Sequence, residues 1–185
     1  MIDPSWVLAL MLKAEPNHEQ SPWRDTYAST AAAIARAADK HPLPLGDDSA
    51  ERTAAMLVGV AFYESHFQQD AEGDRIKLAG GALGRARSVC AMQIHETNFA
   101  AMKVTRGELM GNIQRCVDTG LEMLHISFSV CRGKPLEQRV AHYAGGGNGC
   151  PTNGEATSKS EHRVRKALEL FKAVPQPARE VVSAR

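Results

Sequence analysis

Glu64 lies in the run Ala61-Phe62-Tyr63-Glu64-Ser65-His66-Phe67, an acid among aromatic and apolar neighbours. A carboxyl in such surroundings ionises at a cost and can stay protonated near neutral pH and donate its proton. The run closes a segment from Ser49 to Phe62 in which Ala54, Leu57, Val58 and Ala61 recur at the spacing of one helical face, with Asp47 or Asp48 as cap. Glu64 is therefore expected at a helix end that opens into a loop. The plainer alternative is a glutamate turned to water, the usual place of a charged side chain.

Two later segments bear on that choice: Ser88-Val89-Cys90-Ala91-Met92-Gln93-Ile94, and Ala141-His142-Tyr143-Ala144 followed by Gly145-Gly146-Gly147-Asn148-Gly149. With Glu64-Ser65, and in this order, they resemble the three signatures of the lysozyme-like lytic transglycosylases, a superfamily that extends to goose-type lysozymes. Its pattern is a Glu-Ser pair at a helix end, a Gly-Leu-Met-Gln-Ile-like turn and an Ala-Tyr-Asn-Ala-Gly-like segment. Asn112-Ile113-Gln114-Arg115 resembles the Asn-Ile stretch that opens a long helix between the last two. The likeness spans about residues 50 to 150, and it is the ordered set that carries it. Cys90 and Ala91 stand where the family has Gly-Leu, which leaves the turn geometry open. Ala144 takes the asparagine's place if Tyr143 is the family tyrosine; a one-residue shift makes His142 its equivalent. Tyr143 is preferred because it keeps the aromatic hydroxyl near the acid.

The resemblance implies cleavage of the β-1,4 bond between N-acetylmuramic acid and N-acetylglucosamine in peptidoglycan. One acid protonates the leaving oxygen and then, as carboxylate, takes a proton from the attacking hydroxyl. The attacker is the muramic acid's own C6 hydroxyl, which gives a 1,6-anhydro product with help from the N-acetyl group. Glu64 is the expected catalytic residue, and Ser65, Met92, Gln93 and Tyr143 are the expected substrate-binding set. Ser65 would steady Glu64 or touch the acetamido group, Gln93 would meet a sugar edge with its amide, Met92 would give an apolar wall, and Tyr143 would donate to Glu64. No cofactor or metal is expected.

Four rival readings stand beside this one. A hydrolytic muramidase needs a second carboxylate to activate water, with Asp70, Glu72, Asp74 and Glu96 as candidates. A wall-binding or virion module would keep the fold without turnover. A cysteine enzyme would use Cys90 or Cys150 with His142, and zinc would need His66, Cys90 and His95; neither set has a recognised spacing. The glycine run lacks the lysine and hydroxyl of a phosphate loop, so close approach of its backbone to a glycan is the better reading.

The elements that must position these groups are mostly helical. Trp6-Val7-Leu8-Ala9-Leu10-Met11-Leu12 reads as a buried first helix, too short to span a bilayer and without a basic leader or cleavage pattern. Ser21-Pro22 caps a predicted helix through Ala38. His41-Pro42-Leu43-Pro44 breaks it before the Glu64 helix. After Phe67 the chain turns polar and glycine-rich. Thr105-Arg106-Gly107-Glu108 fits a capping box, and Ile113, Val117, Leu121, Leu124 and Phe128 trace one face of a long helix over 112–130. A last helix runs from Ser158 to Ala173, with Val164, Ala167, Leu168 and Phe171 inward and Arg163, Arg165 and Lys166 outward. The expected fold is mainly α, of the α+β lysozyme-like kind, with a short β or irregular section between Phe67 and Ile94. One domain fills residues 1–174, and a loose tail follows from 175 to 185.

The 185 residues are 43% hydrophobic and 5% aromatic, enough for a core without a metal. Twenty-two basic against 21 acidic residues leave a formal charge of +1, which argues against a nucleic-acid binder working through a strong positive field. Peptidoglycan strands are the expected partner of a monomer that does not insert stably in a membrane. With no export signal in view, action in the periplasm or on the wall requires another route, either a phage pore-forming protein or carriage in a virion.

The four cysteines, 90, 116, 131 and 150, permit two disulfides in three connectivities. Cys116 and Cys131 at opposite ends of one helix would stand roughly 22 Å apart, which excludes that pair. If a second helix through Ala141 returns antiparallel, Cys150 comes to the level of Cys116, the preferred bridge. Four reduced thiols are the alternative.

Overall fold

The structure, a computed structural model, describes residues 1–78, 81–146 and 149–176. The expected tail falls outside the described residues from 177 onward. Eight α-helices are found among those described: α1 (Pro4–Ala14), α2 (Tyr27–Lys40), α3 (Ser49–Ser65), α4 (Phe99–Met102), α5 (Arg106–Gly111), α6 (Ile113–Val130), α7 (Ala141–Gly145) and α8 (Glu155–Ala173). A three-stranded antiparallel sheet in the middle of the chain joins β1 (Glu72–Gly73), β2 (Ser88–Val89) and β3 (Ile94–His95) in that order. The fold class is thus mainly helical with a small sheet, as the patterning predicts.

α3 is the axis of the molecule. Every residue from Thr53 to Ala61 is buried, so the helix is apolar on all sides rather than along one stripe. It is enclosed by α1, α2 and α8. Gly59 sets the approach of α8, because a Cβ there would meet the backbone oxygen of Arg163 at 2.8 Å and the Ala167 Cβ at 3.2 Å. The helix stops where His66 (φ 52) and Phe67 (φ 65) turn left-handed and return their N–H groups to Phe62 and Ala61. Glu64 lies in the last turn.

Several boundaries differ from expectation. Ser21 does accept the Trp23 N–H, but α2 starts only at Tyr27, after 3-10 turns at His18–Gln20 and Arg24–Thr26. The capping box at Thr105 and Glu108 forms in full, and Asn112 caps α6 by accepting from Arg115. Among the described residues between α6 and α8 no long helix returns. The chain makes one 3-10 turn at Leu136–Gln138 and the five-residue α7.

That difference corrects the disulfides. The bridges are Cys90–Cys116 and Cys131–Cys150, with Cα separations of 6.3 and 5.1 Å. The short return leaves Cys150 at the C-terminal end of α6 beside Cys131, and Cys116, at the other end, takes its partner from the β2–β3 turn. The helix rise that rules out Cys116 with Cys131 rules out Cys116 with Cys150 as well. Two disulfides are the state of a protein from an oxidising compartment, consistent with a place outside the cytoplasm. Among the described residues no helix is long and apolar enough to cross a membrane.

Candidate active site

A cleft of about 740 Å³ opens between the sheet and the helices α6, α7 and α8, and Glu64 stands in its wall. The Glu64 side chain is 15% exposed, neither turned to bulk water nor sealed in the core. Burial raises its carboxyl above the ordinary value against the opposing charges of Arg163 and Lys159, and the negative charge of Asp74 adds to the rise.

Arg163 is the residue that sequence reasoning misplaced. Expected on the outer face of α8, it is 6% exposed and donates from Nη2 to Glu64 Oε1 at 2.6 Å. The periodicity held the clue: Ser160, Arg163, Val164 and Ala167 follow i, i+3, i+4 and i+7, and all four are buried. An arginine in the buried stripe needs a carboxylate, and α3 supplies it.

Gln93 reaches the cleft by an unusual turn. β2 and β3 are joined through Cys90–Gln93, whose first and last residues are left-handed (φ 64 and 48), with the Gln93 N–H closing on the Cys90 carbonyl at 2.9 Å. Cys90 thereby adopts the backbone conformation that glycine takes most easily. Its N–H bonds to Ala71 and its sulfur to Cys116, so the turn is tied at both levels. The Gln93 side chain lines the cleft and donates to the Cys90 carbonyl at 3.1 Å.

Tyr143 also lines the cleft, but its hydroxyl donates to the Met92 carbonyl and not to Glu64. Burial pushes its phenol well above the ordinary value, and the charge of Glu64 adds to the effect. Ser65 and Met92 do not line the cleft. The Ser65 hydroxyl donates to the Ala91 carbonyl at 2.8 Å, tying the end of α3 to the turn. Met92 is fully buried against Gly120, so it is packing rather than a sugar wall. These two residues and the Tyr143 hydroxyl hold the turn that presents Gln93.

Of the four carboxylates considered for a second catalytic group, Asp74 alone faces the cleft. It accepts a hydrogen bond from the Ser88 hydroxyl. Glu72 is held by Arg75 and Arg106 at 2.7 and 3.1 Å, and Glu96 by Arg85 and Arg87, so both are fixed in ion pairs. Asp70 is engaged by Gln68 outside the cleft. The cysteine readings fail, because Cys90 and Cys150 are both in disulfides and offer no thiolate to His142 or to zinc. His142 turns Nδ1 to the Gly149 carbonyl, and Gly145 and Gly146 line the cleft beside it. Gly147 and Asn148 lie outside the described residues.

No family model, curated protein or solved structure matches the chain. The functional reading therefore rests on the residues of the cleft themselves.

Proposed function

We propose that this protein is a peptidoglycan-cleaving lytic transglycosylase acting outside the cytoplasm, with Glu64 as its single acid and base. The supporting observation is a carboxyl with a raised pKa in the wall of a cleft roomy enough for sugar rings. Glu64 gives its proton to the glycosidic oxygen between N-acetylmuramic acid and N-acetylglucosamine as the C1–O bond breaks. The carboxylate then takes the proton of the C6 hydroxyl as that oxygen bonds to C1. The acid is regenerated and no water is added. Gln93 offers both hydrogen-bonding capacities to a sugar edge. The disulfides fit an enzyme that works in the periplasm or at the wall.

Asp74 favours a second reading. A carboxylate in the same cleft, ordered by Ser88, is the group an inverting muramidase uses to activate water. Mass analysis of muropeptides released by the wild type, Glu64→Gln and Asp74→Asn separates the readings. The transglycosylase yields anhydro products lighter by one water, and Asp74→Asn still makes them. Free reducing ends that vanish in Asp74→Asn support hydrolysis. Release by wild type as slow as that by Glu64→Gln, and no faster than in buffer alone, removes both and leaves a module without turnover.

A further inference from the structure

We propose that Arg163 is a positioning residue for Glu64: its guanidinium fixes Oε1, leaving Oε2 to exchange the proton with the sugar, and Gly59 sets the depth at which it does so. This rests on the reading of Glu64 as the acid.

The cluster is hard to explain by stability. The Arg163 side chain is 7% exposed, its Nε is buried without a hydrogen-bond partner, and among the described residues Glu64 is its one side-chain partner. A buried pair with an unsatisfied donor is a poor source of stability compared with apolar packing at the same place. Its geometry suits proton exchange instead. Glu64 is at a helix end, where the carboxyl would otherwise turn about its side-chain bonds. Arg163 holds Oε1 at 2.6 Å, which leaves Oε2 as the oxygen free to meet a sugar in the cleft that Glu64 lines. When the proton leaves, the new carboxylate meets a positive charge already in place, with no reorganisation of water. When the C6 hydroxyl gives its proton back, the charge is again balanced.

Gly59 connects this to the fold. It precedes Glu64 by five residues on α3, and its missing side chain lets the Arg163 backbone oxygen come to a point 2.8 Å from where a Cβ would stand. A methyl group there pushes α8 outward at Arg163 itself, since the contact is with backbone rather than a flexible side-chain end.

The test follows the Glu64 carboxyl by ¹³C NMR titration in the wild type, Arg163→Gln and Arg163→Lys, beside the pH profile of wall clearance, with near-ultraviolet circular dichroism as the check on folding. Arg163→Gln is expected to move the Glu64 midpoint and the matching limb of the profile to higher pH, because an opposing charge is removed. Arg163→Lys keeps the charge without the fork, so its shift is smaller and its clearance is partly restored. Gly59→Ala shifts the midpoint in the same direction and gives the same reading should Arg163→Gln not fold. A midpoint unmoved in a folded variant overturns the proposal. Full clearance by Glu64→Gln sinks the function instead, and leaves the titration to decide about Arg163.

Discussion

The Tyr143 hydroxyl ends on the carbonyl of Met92, one residue before the amide that faces the cleft. An aromatic from α7 thus secures the β2–β3 turn from one side while Ser65, from the end of α3, secures Ala91 from the other. The turn carrying Gln93 is suspended between α7 and the end of α3, the helix that carries Glu64. Tyr143→Phe removes the donor and leaves the Met92 carbonyl without its partner, which is expected to lower stability by about 1–3 kcal/mol. Urea unfolding measures the loss. A variant as stable as the wild type would show that the hydroxyl contributes nothing to the turn.

Gly73 faces Gln93 across the sheet, and a Cβ at Gly73 would lie 2.0 Å from Gln93 Oε1. Gly73→Ala must displace that amide while leaving the core untouched. Clearance of a peptidoglycan suspension should fall with little change in melting temperature. Unaltered clearance would mean that the Gln93 amide takes no part in holding the glycan.

On α6, Gly120 abuts Met92 along its side chain: a Cβ at Gly120 would lie 2.7 Å from Met92 Cε, 2.8 Å from Cγ and 3.0 Å from Cβ. The methionine cannot evade a methyl group by swinging only its tip. Gly120→Ala therefore overpacks the contact, at about 1–3 kcal/mol. A melting curve matching the wild type would show that the turn yields freely.

The helices were legible because their signals are local. The apolar stripe from Ile113 to Phe128 and the capping box at Thr105 each lie within a few turns of chain. Glu64 was legible too, since its aromatic neighbours sit beside it in sequence. What could not be read was set by approach between distant segments. Arg163 meets Glu64 across 99 positions, brought there by the packing of α8 on α3, which is closest at Gly59. The cysteine pairing depended on the length of the segment after α6, where Pro135 begins a 3-10 turn in place of the helix expected there. The motif marks Ser65 and Met92 as ligands because it gives residue types but not directions. Their side chains point into the fold, one to the Ala91 carbonyl and the other to Gly120.

Both disulfides secure the cleft. Cys90–Cys116 ties the Gln93 turn to α6, and Cys131–Cys150 ties the segment after the glycine run to the far end of the same helix. They close sequence separations of 26 and 19 residues, and loss of either is expected to cost about 3 kcal/mol through the unfolded chain. Paired Cys→Ser variants should melt lower by about 2–4 °C for each kcal/mol lost. A reductant should lower the wild type towards the variant with both bridges removed. Melting insensitive to reductant would mean that the bridges carry no stability.

The raised Glu64 carboxyl makes stability depend on pH in a defined direction. Its folded-state value lies above the ordinary 4.5, chiefly through burial. Between the two values the folded chain holds more proton than the unfolded one, so the folded state is favoured by protonation. That contribution is complete below about 4.5 and is lost as pH rises through the folded-state value. Glu64→Gln cannot ionise there, so the stability of the wild type relative to it should decline as pH rises across this window. Asp74→Asn removes the charge that adds to the rise, so it should narrow the window and shift to lower pH the alkaline limb of activity, where the acid Glu64 loses its proton. Over the same range Glu64→Gln should lose about 10²- to 10⁴-fold in wall clearance, the usual effect of deleting a general acid. Paired urea melts of wild type, Glu64→Gln and Asp74→Asn at stepped pH measure the stability terms. A wild-type advantage that grows with pH would place the Glu64 carboxyl below its ordinary value, with the Arg163 pair outweighing burial.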